Sequence, residues 1–251
     1  MPDIVGFLLD PTHWEGARGI PARLLEHLFI SGLGILAATL IALPTGLYIG
    51  HFGRGAGLAI NVANIGRAIP SYAMMVIPLP LTLALAPVLG YSPTLGLNFL
   101  PIFLAMTLLA IPPILVTTFA GLRAVDRDLI EAGRGMGLTE RQILARIELP
   151  LAWSVIVGGF RTATLQVIST ATLGAILSGG GLGRFIFDGI AQGLAGQASI
   201  YAGAVLVSAL AIAVDLVLAV LQRRLTPRGV RLASDRGGEA TNQARLPGAV
   251  A

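Results

Sequence analysis

Residues 131–150 read "EAGRGMGLTERQILARIELP" and form a polar segment in an otherwise apolar chain. The segment holds six charged side chains in twenty positions, whereas the whole chain of 251 residues is 55% hydrophobic and only 12% charged. Long runs with almost no charge lie on both sides of it. The segment is therefore predicted to be a polar loop between apolar elements.

The residues just before and inside this segment predict a first short helix. Asp126 and Asp128 stand where the helix would begin, and their carboxylates suit the free amide groups and positive dipole of a helix amino terminus. An apolar stripe at helical spacing follows, made of Leu129, Ala132 and Met136.

The second half of the segment predicts a second short helix. Gly137 ends the first helix, and Thr139 followed by Gln142 has the spacing of a capping box. The apolar residues that follow on one face are Ile143, Leu144 and Ile147. Pro150 suits the first turn of the next span, where its missing N–H removes no bond. We therefore expect two amphipathic helices hinged at a glycine, which either pack on their own loops or present a surface to a partner.

The apolar runs around the segment predict an all-α polytopic integral membrane protein. Mean hydropathy is +0.80, and a span needs about 20 apolar residues to cross a hydrocarbon core of about 30 Å. Residues 28–50 and 68–122 carry no charge, and the second run is long enough for two spans divided by a turn at 89–98. With further spans at about 150–177 and 199–221, the prediction is five transmembrane helices.

The basic residues predict the orientation of these spans. The chain has no lysine, so its 17 basic residues are all arginine. Positive charge concentrates in loops on the cytoplasmic side, which places the amino terminus outside and the carboxy terminus in the cytoplasm. The arginines expected on the cytoplasmic side are Arg54, Arg123, Arg127, Arg134, Arg141, Arg146, Arg223, Arg224, Arg228, Arg231, Arg236 and Arg245. Those expected outside are Arg18, Arg23 and Arg184, with Arg67 and Arg161 at membrane depth.

The organisation that follows has three parts. Residues 1–23 form an extracytoplasmic segment that lacks the basic start and full apolar core of a cleavable signal. Residues 24–231 form the transmembrane domain, which includes the cytoplasmic loop 123–150. Residues 232–251 are small and polar without apolar periodicity, which predicts a disordered cytoplasmic tail.

Several kinds of chemistry are excluded by residues that the chain lacks. Without lysine it cannot form its own P-loop ATPase site, and without cysteine it has neither disulfides nor thiolate chemistry. His13, His27 and His51 are isolated and predicted to be interfacial side chains rather than metal ligands. No catalytic, cofactor or metal site is predicted, nor a nucleic-acid partner, and the glycine-rich run 178–185 is interpreted as a flexible external turn.

The loop resembles the EAA loop of the membrane-spanning subunits of binding-protein-dependent ABC importers. That motif runs Glu-Ala-Ala, three residues, Gly, nine residues, Ile, one residue, Leu-Pro, and every spacing matches. The matching residues are Glu131, Ala132, Gly137, Ile147, Leu149 and Pro150. The one departure is Gly133 at the second alanine, which lowers helix propensity. The resemblance implies a type I importer permease fold in which this loop is the coupling helix that docks into an ATPase subunit.

Most of the chain, from about residue 24 to 225, takes part in the resemblance. Residues 67–79, 131–138, 158–183 and 215–225 look most like permeases that import glycine betaine, carnitine, choline and related osmoprotectants. Permeases for another small solute, such as methionine, have a similar size and plan and remain the alternative.

The resemblance also implies partners and a location. These are two cytoplasmic ABC ATPase subunits, a second permease that is identical or paralogous, and a separate extracytoplasmic binding protein, all around a multi-pass chain in the lipid of a bacterial plasma (inner) membrane. The chain itself would hydrolyse no ATP and need no cofactor. Two rival classes are weaker, because an ion-coupled transporter would use a set of intramembrane carboxylates and an intramembrane enzyme a Ser/His or metal constellation.

Prolines and small residues predict features of the spans. Pro70, Pro78, Pro80 and Pro87 crowd the second span and indicate either a translocation path or simple kinking against neighbouring helices. Close helix packing is predicted at two small-xxx-small pairs, Gly34 with Ala38 and Gly159 with Ala163.

Two intramembrane charges are predicted to form an ion pair. Arg161 and Asp215 have similar depths in the fourth and fifth spans. Because a lone charge inside the membrane is unfavourable, pairing is expected, with Arg67 as the alternative partner of Asp215. The pair would act as a structural link or, as the sharper hypothesis, a conformational latch.

Overall fold

The chain folds as an all-α membrane domain. A computed structural model describes residues 3–89, 99–177 and 179–225, and within these ranges it contains no β-strand. The predicted turn beyond Leu89, Ser178 of the predicted external turn and the predicted tail 232–251 lie outside the described residues. The α-helices in chain order are α1 (Ile4–Leu9), α2 (Ile20–Phe52), α3 (Ala56–Ala68), α4 (Ser71–Val76), α5 (Leu79–Leu89), α6 (Phe99–Arg123), α7 (Arg127–Gly135), α8 (Glu140–Ile143), α9 (Leu149–Ala171), α10 (Gly183–Ala191) and α11 (Gln197–Leu225).

Helices α2, α6 and α9 form the core of the domain. Their contact faces carry the main cluster of buried apolar side chains, which includes Ile35, Met106, Ile114 and Val167. The outer faces carry exposed leucine, isoleucine and valine side chains, as expected for helices whose solvent is lipid. The core therefore joins the first span to the helices on either side of the polar loop.

Small residues bring α2 and α6 into close contact. A Cβ atom built on Gly34 would lie 2.6 Å from the Cβ atom of Met106, and one on Gly46 would lie 2.8 Å from that of Thr118. Ala38 between them is fully buried. The predicted packing role of Gly34 and Ala38 is therefore confirmed.

Gly159 has the same role at the contact between α6 and α9. A Cβ atom at this glycine would clash with the side chain of Thr117. Ala163, one turn further along α9, is fully buried, and the predicted packing role of this pair is also confirmed.

Four helical stretches are long and apolar enough to cross a membrane, and they agree with four of the five predicted spans. They are Ile20–Phe52, Phe99–Arg123, Glu140–Leu177 and Gly193–Arg224. Helix α2 has 33 residues, more than the about 20 that a span requires. The first span is thus longer than predicted and begins at Ile20, inside the predicted amino-terminal segment.

The second predicted span differs from the structure. The prediction was one helix beginning at Ala68, but Ala56–Gly66 and Ser71–Leu85 form a pair bent by 98°. Ile69, in the break, has an extended backbone with φ −85° and ψ 122°, because the ring of Pro70 disfavours the α conformation in the residue before it. One bent pair therefore takes the place of the single helix, and the bend at Pro70 agrees with the kinking that was one of the two interpretations of its prolines.

The predicted flexible turn at 178–185 is wrong for its described residues. Gly181 and Leu182 are buried, and the backbone N–H of Gly181 donates to Oε2 of Glu26 at 2.8 Å. Helix α10 begins at Gly183 inside the predicted turn. Glycine appears here because the backbone packs closely and Gly181 has φ +88°, not because the segment is loose.

Candidate functional site: the polar loop

The first helix of the loop forms where its sequence predicts. Helix α7 spans Arg127–Gly135, and the side chain of its cap, Asp126, accepts a hydrogen bond from the N–H of Asp128 at 3.0 Å. Gly137 has φ +81° and ends the helix, a conformation that side chains with a Cβ rarely adopt. The glycine therefore sets the direction in which the chain leaves α7.

The second helix begins as predicted but does not end as predicted. Thr139 and Gln142 form both bonds of a capping box, and α8 follows. A π-helical segment, Leu144–Glu148, then carries the chain directly into α9. Pro150 cannot donate a backbone bond, so the ladder shifts at this point and the N–H of Leu149 bonds to the carbonyl of Leu144. The prediction of two separate short helices is thus wrong for the second, which is continuous with the fourth span.

Helix α7 presents two chemically different faces. One face borders a cavity through residues at helical spacing, namely Arg127, Ile130, Glu131 and Arg134. The other face exposes 49% of Leu129 and 74% of Met136, with Ala132 also exposed between them. Large apolar side chains exposed among charges are typical of a docking surface. The outer face is therefore suited to a partner, and the inner face to the membrane domain.

The motif residues occupy distinct places in the loop. Glu131 lines the cavity, Ala132 lies on the outer face, and Ile147 packs inward against α7. Leu149 and Pro150 are half-buried at the start of α9. The structure therefore brings Ile147 to α7 but spreads the other motif residues along the loop.

Gly133, the departure from the motif, lies where Ile147 from the second half of the loop approaches α7. A Cβ atom there would lie 2.8 Å from Cδ1 of Ile147. The missing methyl group leaves room for this side chain, which packs from the π-helical segment onto α7.

His51 links the loop to the first span and was missed by the sequence reasoning. Its Nδ1 lies 2.5 Å from Oε2 of Glu148, and its Nε2 lies 3.2 Å from Oε2 of Glu140. The side chains of His51 and Glu148 are each only 4% exposed. Both ring nitrogens can donate to carboxylates only when the imidazole is protonated. His51 lies near the end of a span as predicted, but it is not isolated, because it joins the end of α2 to the loop.

A second contact braces the loop internally. Arg134 donates to both carboxylate oxygens of Glu140, from Nε at 2.9 Å and from Nη2 at 3.2 Å. This bond raises the pKa of the Arg134 guanidinium above its usual range. Glu140 therefore joins Arg134 of α7 to His51 of α2, and the three side chains form one network.

Arg161 and Asp215 meet at a half-buried position between two spans. Nε and Nη2 of Arg161 donate to the two oxygens of Asp215 at 2.5 Å and 2.6 Å, which joins α9 to α11. Such a two-bond fork is the strongest geometry of this pair of groups. The arginine occupies both carboxylate oxygens of Asp215.

In the part of the chain that the structure describes, no group of three histidine, aspartate or glutamate side chains could hold a metal ion. The site consists instead of a helix with one apolar exposed face, and of charged contacts that fix the helix to two spans. Its chemistry is binding and positioning.

Comparison with known proteins places the chain among membrane transport subunits. Residues 32–227 match the family described as binding-protein-dependent transport system inner membrane component. The choline transport system permease protein OpuBB of Bacillus subtilis is 38% identical over 82% of this chain and 88% of its own length. The carnitine transport permease protein OpuCB of Listeria monocytogenes is 36% identical over 90% of this chain and 96% of its own length.

A solved structure has the same fold. It is the MetNI methionine ABC transporter in an inward-facing conformation, which matches with a TM-score of 0.69 at 23% identity over 87% of this chain and 99% of the matched chain. At this identity the likeness concerns the fold alone.

Proposed function

We propose a function for this chain from the premise that it belongs to the binding-protein-dependent transport system inner membrane components. It is the permease subunit of an ABC importer, and it carries an osmoprotectant such as glycine betaine, carnitine or choline. The observation that carries the substrate class is the likeness to choline and carnitine permeases at 36–38% identity over more than four fifths of the chain. The methionine transporter is less similar in sequence, which favours an osmoprotectant over an amino acid.

The loop gives the permease its place in an ATP-driven cycle. The exposed apolar face of α7, with Leu129 and Met136, is the surface that docks on an ATPase subunit. The motif residues act in this coupling: Glu131 and Ala132 in α7, Gly137 at the turn, and Ile147, Leu149 and Pro150 where the loop enters α9. Two ATPase subunits, a second permease and an extracytoplasmic binding protein complete the importer.

Transport proceeds by alternating access. Binding of ATP closes the two ATPase subunits, and α7 moves with the subunit on which it is docked. Since α8 is continuous with α9, and His51 joins the loop to α2, the motion reaches two core helices together. The translocation path through the membrane domain then opens to the outside and receives solute from the binding protein.

The intramembrane pair of Arg161 and Asp215 supports this movement as a link between α9 and α11. With it intact, α11 follows α9 as a rigid unit. The pair thus acts either as a constant structural link or as a latch that opens during the cycle.

Reconstitution tests the proposed function directly. The permease is co-purified with its ATPase, placed in liposomes with ATP inside, and given the binding protein outside together with glycine betaine, carnitine, choline or methionine. We expect the ATPase to co-purify and a quaternary ammonium solute to accumulate only when ATP is present. Accumulation driven by an ion gradient without the ATPase, or uptake of methionine alone, would contradict the proposal.

Single cysteines test the proposed orientation, with the amino terminus outside, because the native chain has none. Arg54→Cys and Gly135→Cys should react in intact cells only with membrane-permeant thiol reagents, whereas Thr12→Cys, at an exposed position, should also react with impermeant ones. Labelling of Gly135→Cys from outside would exclude a coupling role for α7.

A further inference from the structure

A polar cavity lies between the inner face of α7 and the membrane domain. Its volume is about 220 Å³, and its walls include the carboxy-terminal ends of α2 and α6 together with Glu148. Because a water molecule takes about 30 Å³ in the liquid, the cavity could hold a small hydrated ion or one polar head group. The coupling role proposed for the motif uses the outer face of α7 and gives no function to this cavity.

Two of the arginines that line the cavity have no ion-pair partner among the described residues. Arg134 is bonded to Glu140, and Glu148 is bonded to His51. Three further charged side chains line the space, namely Arg123, Arg127 and Glu131. Within the described residues, neither Arg123 nor Arg127 forms an ion pair. Two guanidinium groups without an ion pair therefore line the cavity beside one carboxylate, that of Glu131.

We propose that this cavity binds a phosphate group, held by Arg123 and Arg127. A guanidinium group is a planar fork of N–H donors that matches phosphate oxygens, and it binds them better than an ammonium group does. A phosphodiester carries one negative charge, which the two guanidinium groups can share through their N–H donors. Arg123 ends α6 and Arg127 begins α7, so a bound phosphate ties the end of a core helix to the coupling helix.

The phosphate can come from an anionic phospholipid or from free inorganic phosphate. The surroundings favour the lipid, because the cavity lies where α2 and α6 leave the membrane. Tyr48 and Phe52 on the last turns of α2 are 58% and 53% exposed, and aromatic side chains collect at the level of the head groups. Basic pockets between spans at this level are typical sites for anionic lipids.

Lipid retention tests the site in the full-length permease. The protein is purified from nanodiscs of phosphatidylcholine and phosphatidylglycerol, and the bound lipid is measured by native mass spectrometry. The double variant Arg123→Gln/Arg127→Gln should retain phosphatidylglycerol at least about 10-fold less well, since each basic residue near such a lipid contributes about 1 kcal/mol. The matched control is Arg54→Gln/Arg146→Gln, which removes two exposed arginines that do not line the cavity and should retain the lipid as the wild type does.

A second arm separates the two sources of phosphate. In nanodiscs of phosphatidylcholine alone, inorganic phosphate is compared with chloride at equal ionic strength, and the midpoint of thermal unfolding is measured. Stabilisation by phosphate in the wild type but not in Arg123→Gln/Arg127→Gln, without selective lipid retention, would assign the site to the free ion. The proposal would be overturned if Arg123→Gln/Arg127→Gln and the control Arg54→Gln/Arg146→Gln lost the lipid equally. It would also be overturned if the wild type responded to neither the lipid nor inorganic phosphate.

The single variant Arg127→Gln keeps the test decisive if the double variant does not fold, because Arg127 is an exposed residue at the start of α7. It should lower lipid retention by about 5-fold, roughly the effect of 1 kcal/mol. Arg127→Lys, which keeps the charge but loses the fork, should lower it by less. Wild-type retention in Arg127→Gln would contradict the proposal.

Discussion

The two halves of the membrane domain use their ion pairs differently. In the half opposite the polar loop, the pairs are local and join residues three or four positions apart, as Arg23–Glu26 and Arg184–Asp188 do. From the middle of the spans to the loop, the pairs join different elements, as His51–Glu148 and Arg161–Asp215 do. Among the described residues, ion pairs between side chains therefore join separate helices only toward the loop.

The opposite half joins its elements through backbone groups instead. His27, buried in α2, lies with its Nε2 2.9 Å from the carbonyl oxygen of Ile168 in α9. Glu26, one residue earlier, accepts the N–H of Gly181. Backbone contacts such as these need no ionised partner side chain on the facing element. The comparison indicates that the half proposed to receive the motion of the ATPase is joined by ionic contacts between side chains, while the other half is held by contacts with the main chain.

The largest effect is expected when this difference is tested at the two buried histidines of α2. His51→Leu removes the partner of Glu148, which is 3% exposed, and a buried charge left without its partner destabilises by about 3 to 5 kcal/mol. His27→Leu leaves only a backbone carbonyl without its side-chain donor, at a cost of about 1 to 3 kcal/mol. Thermal unfolding of the purified variants measures the loss of stability in each.

A second substitution shows whether charge is the cause. Adding Glu148→Leu to His51→Leu removes the unpaired carboxylate and should restore most of the lost stability. If the double variant is as unstable as His51→Leu, or if the two histidine variants are equally unstable, the two ends of α2 do not differ in the way proposed.

The next effect concerns the pair inside the membrane domain. Arg161→Leu or Asp215→Leu should reduce uptake by about tenfold, because each leaves a charge unpaired between α9 and α11. The exchange of both, Arg161→Asp with Asp215→Arg, should recover part of the activity. Uptake is measured in reconstituted liposomes with the complete importer.

The control for this pair comes from the opposite half. Asp188→Leu removes the carboxylate of a local pair within α10, and pairs of this exposed kind contribute little. It should transport nearly as the wild type does. An exchange variant no better than the single ones would show that contact between Arg161 and Asp215 is not what transport requires.

Some of this arrangement can be predicted from sequence because it depends on local chemistry. The capping box at Thr139 and Gln142, and the positive φ of Gly137, follow from residues within a few positions of each other. Arg161 and Asp215 are distant in sequence, but so few charges lie at membrane depth that the depth of each was enough to suggest the pair.

The parts that the sequence reasoning missed depend on which helix faces which. His51 and Glu148 are 97 residues apart, and each lies near the end of a span, where an exposed charged side chain is ordinary. Nothing local indicates that both are buried. Kinking was one of the two interpretations of Pro70, but the size of the break was not predicted, since mean hydropathy measures whether a segment is apolar and not whether its helix is continuous.

A smaller effect is expected at the glycine that turns the loop. Gly137→Val should leave the protein folded but reduce the uptake obtained per ATP hydrolysed several-fold, because a β-branched residue is strained at φ +81°. Glu131→Ala, on the cavity face of α7, should act in the same direction. Gly135→Val is the matched control, since no atom lies within 4 Å of a Cβ atom there and its φ is not positive. Normal coupling in Gly137→Val and Glu131→Ala would remove the coupling role from this loop.

The smallest effect is expected at Gly133, where the loop departs from the motif. It tests whether the two halves of the loop are held together by apolar packing in addition to ionic contacts. Gly133→Ala favours the helix by about 1 kcal/mol, but its Cβ atom would lie 2.8 Å from Cδ1 of Ile147, and such overpacking costs about 1 to 3 kcal/mol. Gly135 lies two residues away in the same helix and has open space around it. Gly135→Ala therefore gains the helix propensity of alanine without any overpacking. The midpoint of thermal unfolding should therefore be higher than in the wild type for Gly135→Ala, and equal to it or slightly lower for Gly133→Ala. Adding Ile147→Val, which removes the Cδ1 atom, should raise Gly133→Ala toward Gly135→Ala. If both alanine variants are stabilised equally, Ile147 does not press on α7, and the ionic contacts of Glu140 and His51 hold the loop without it.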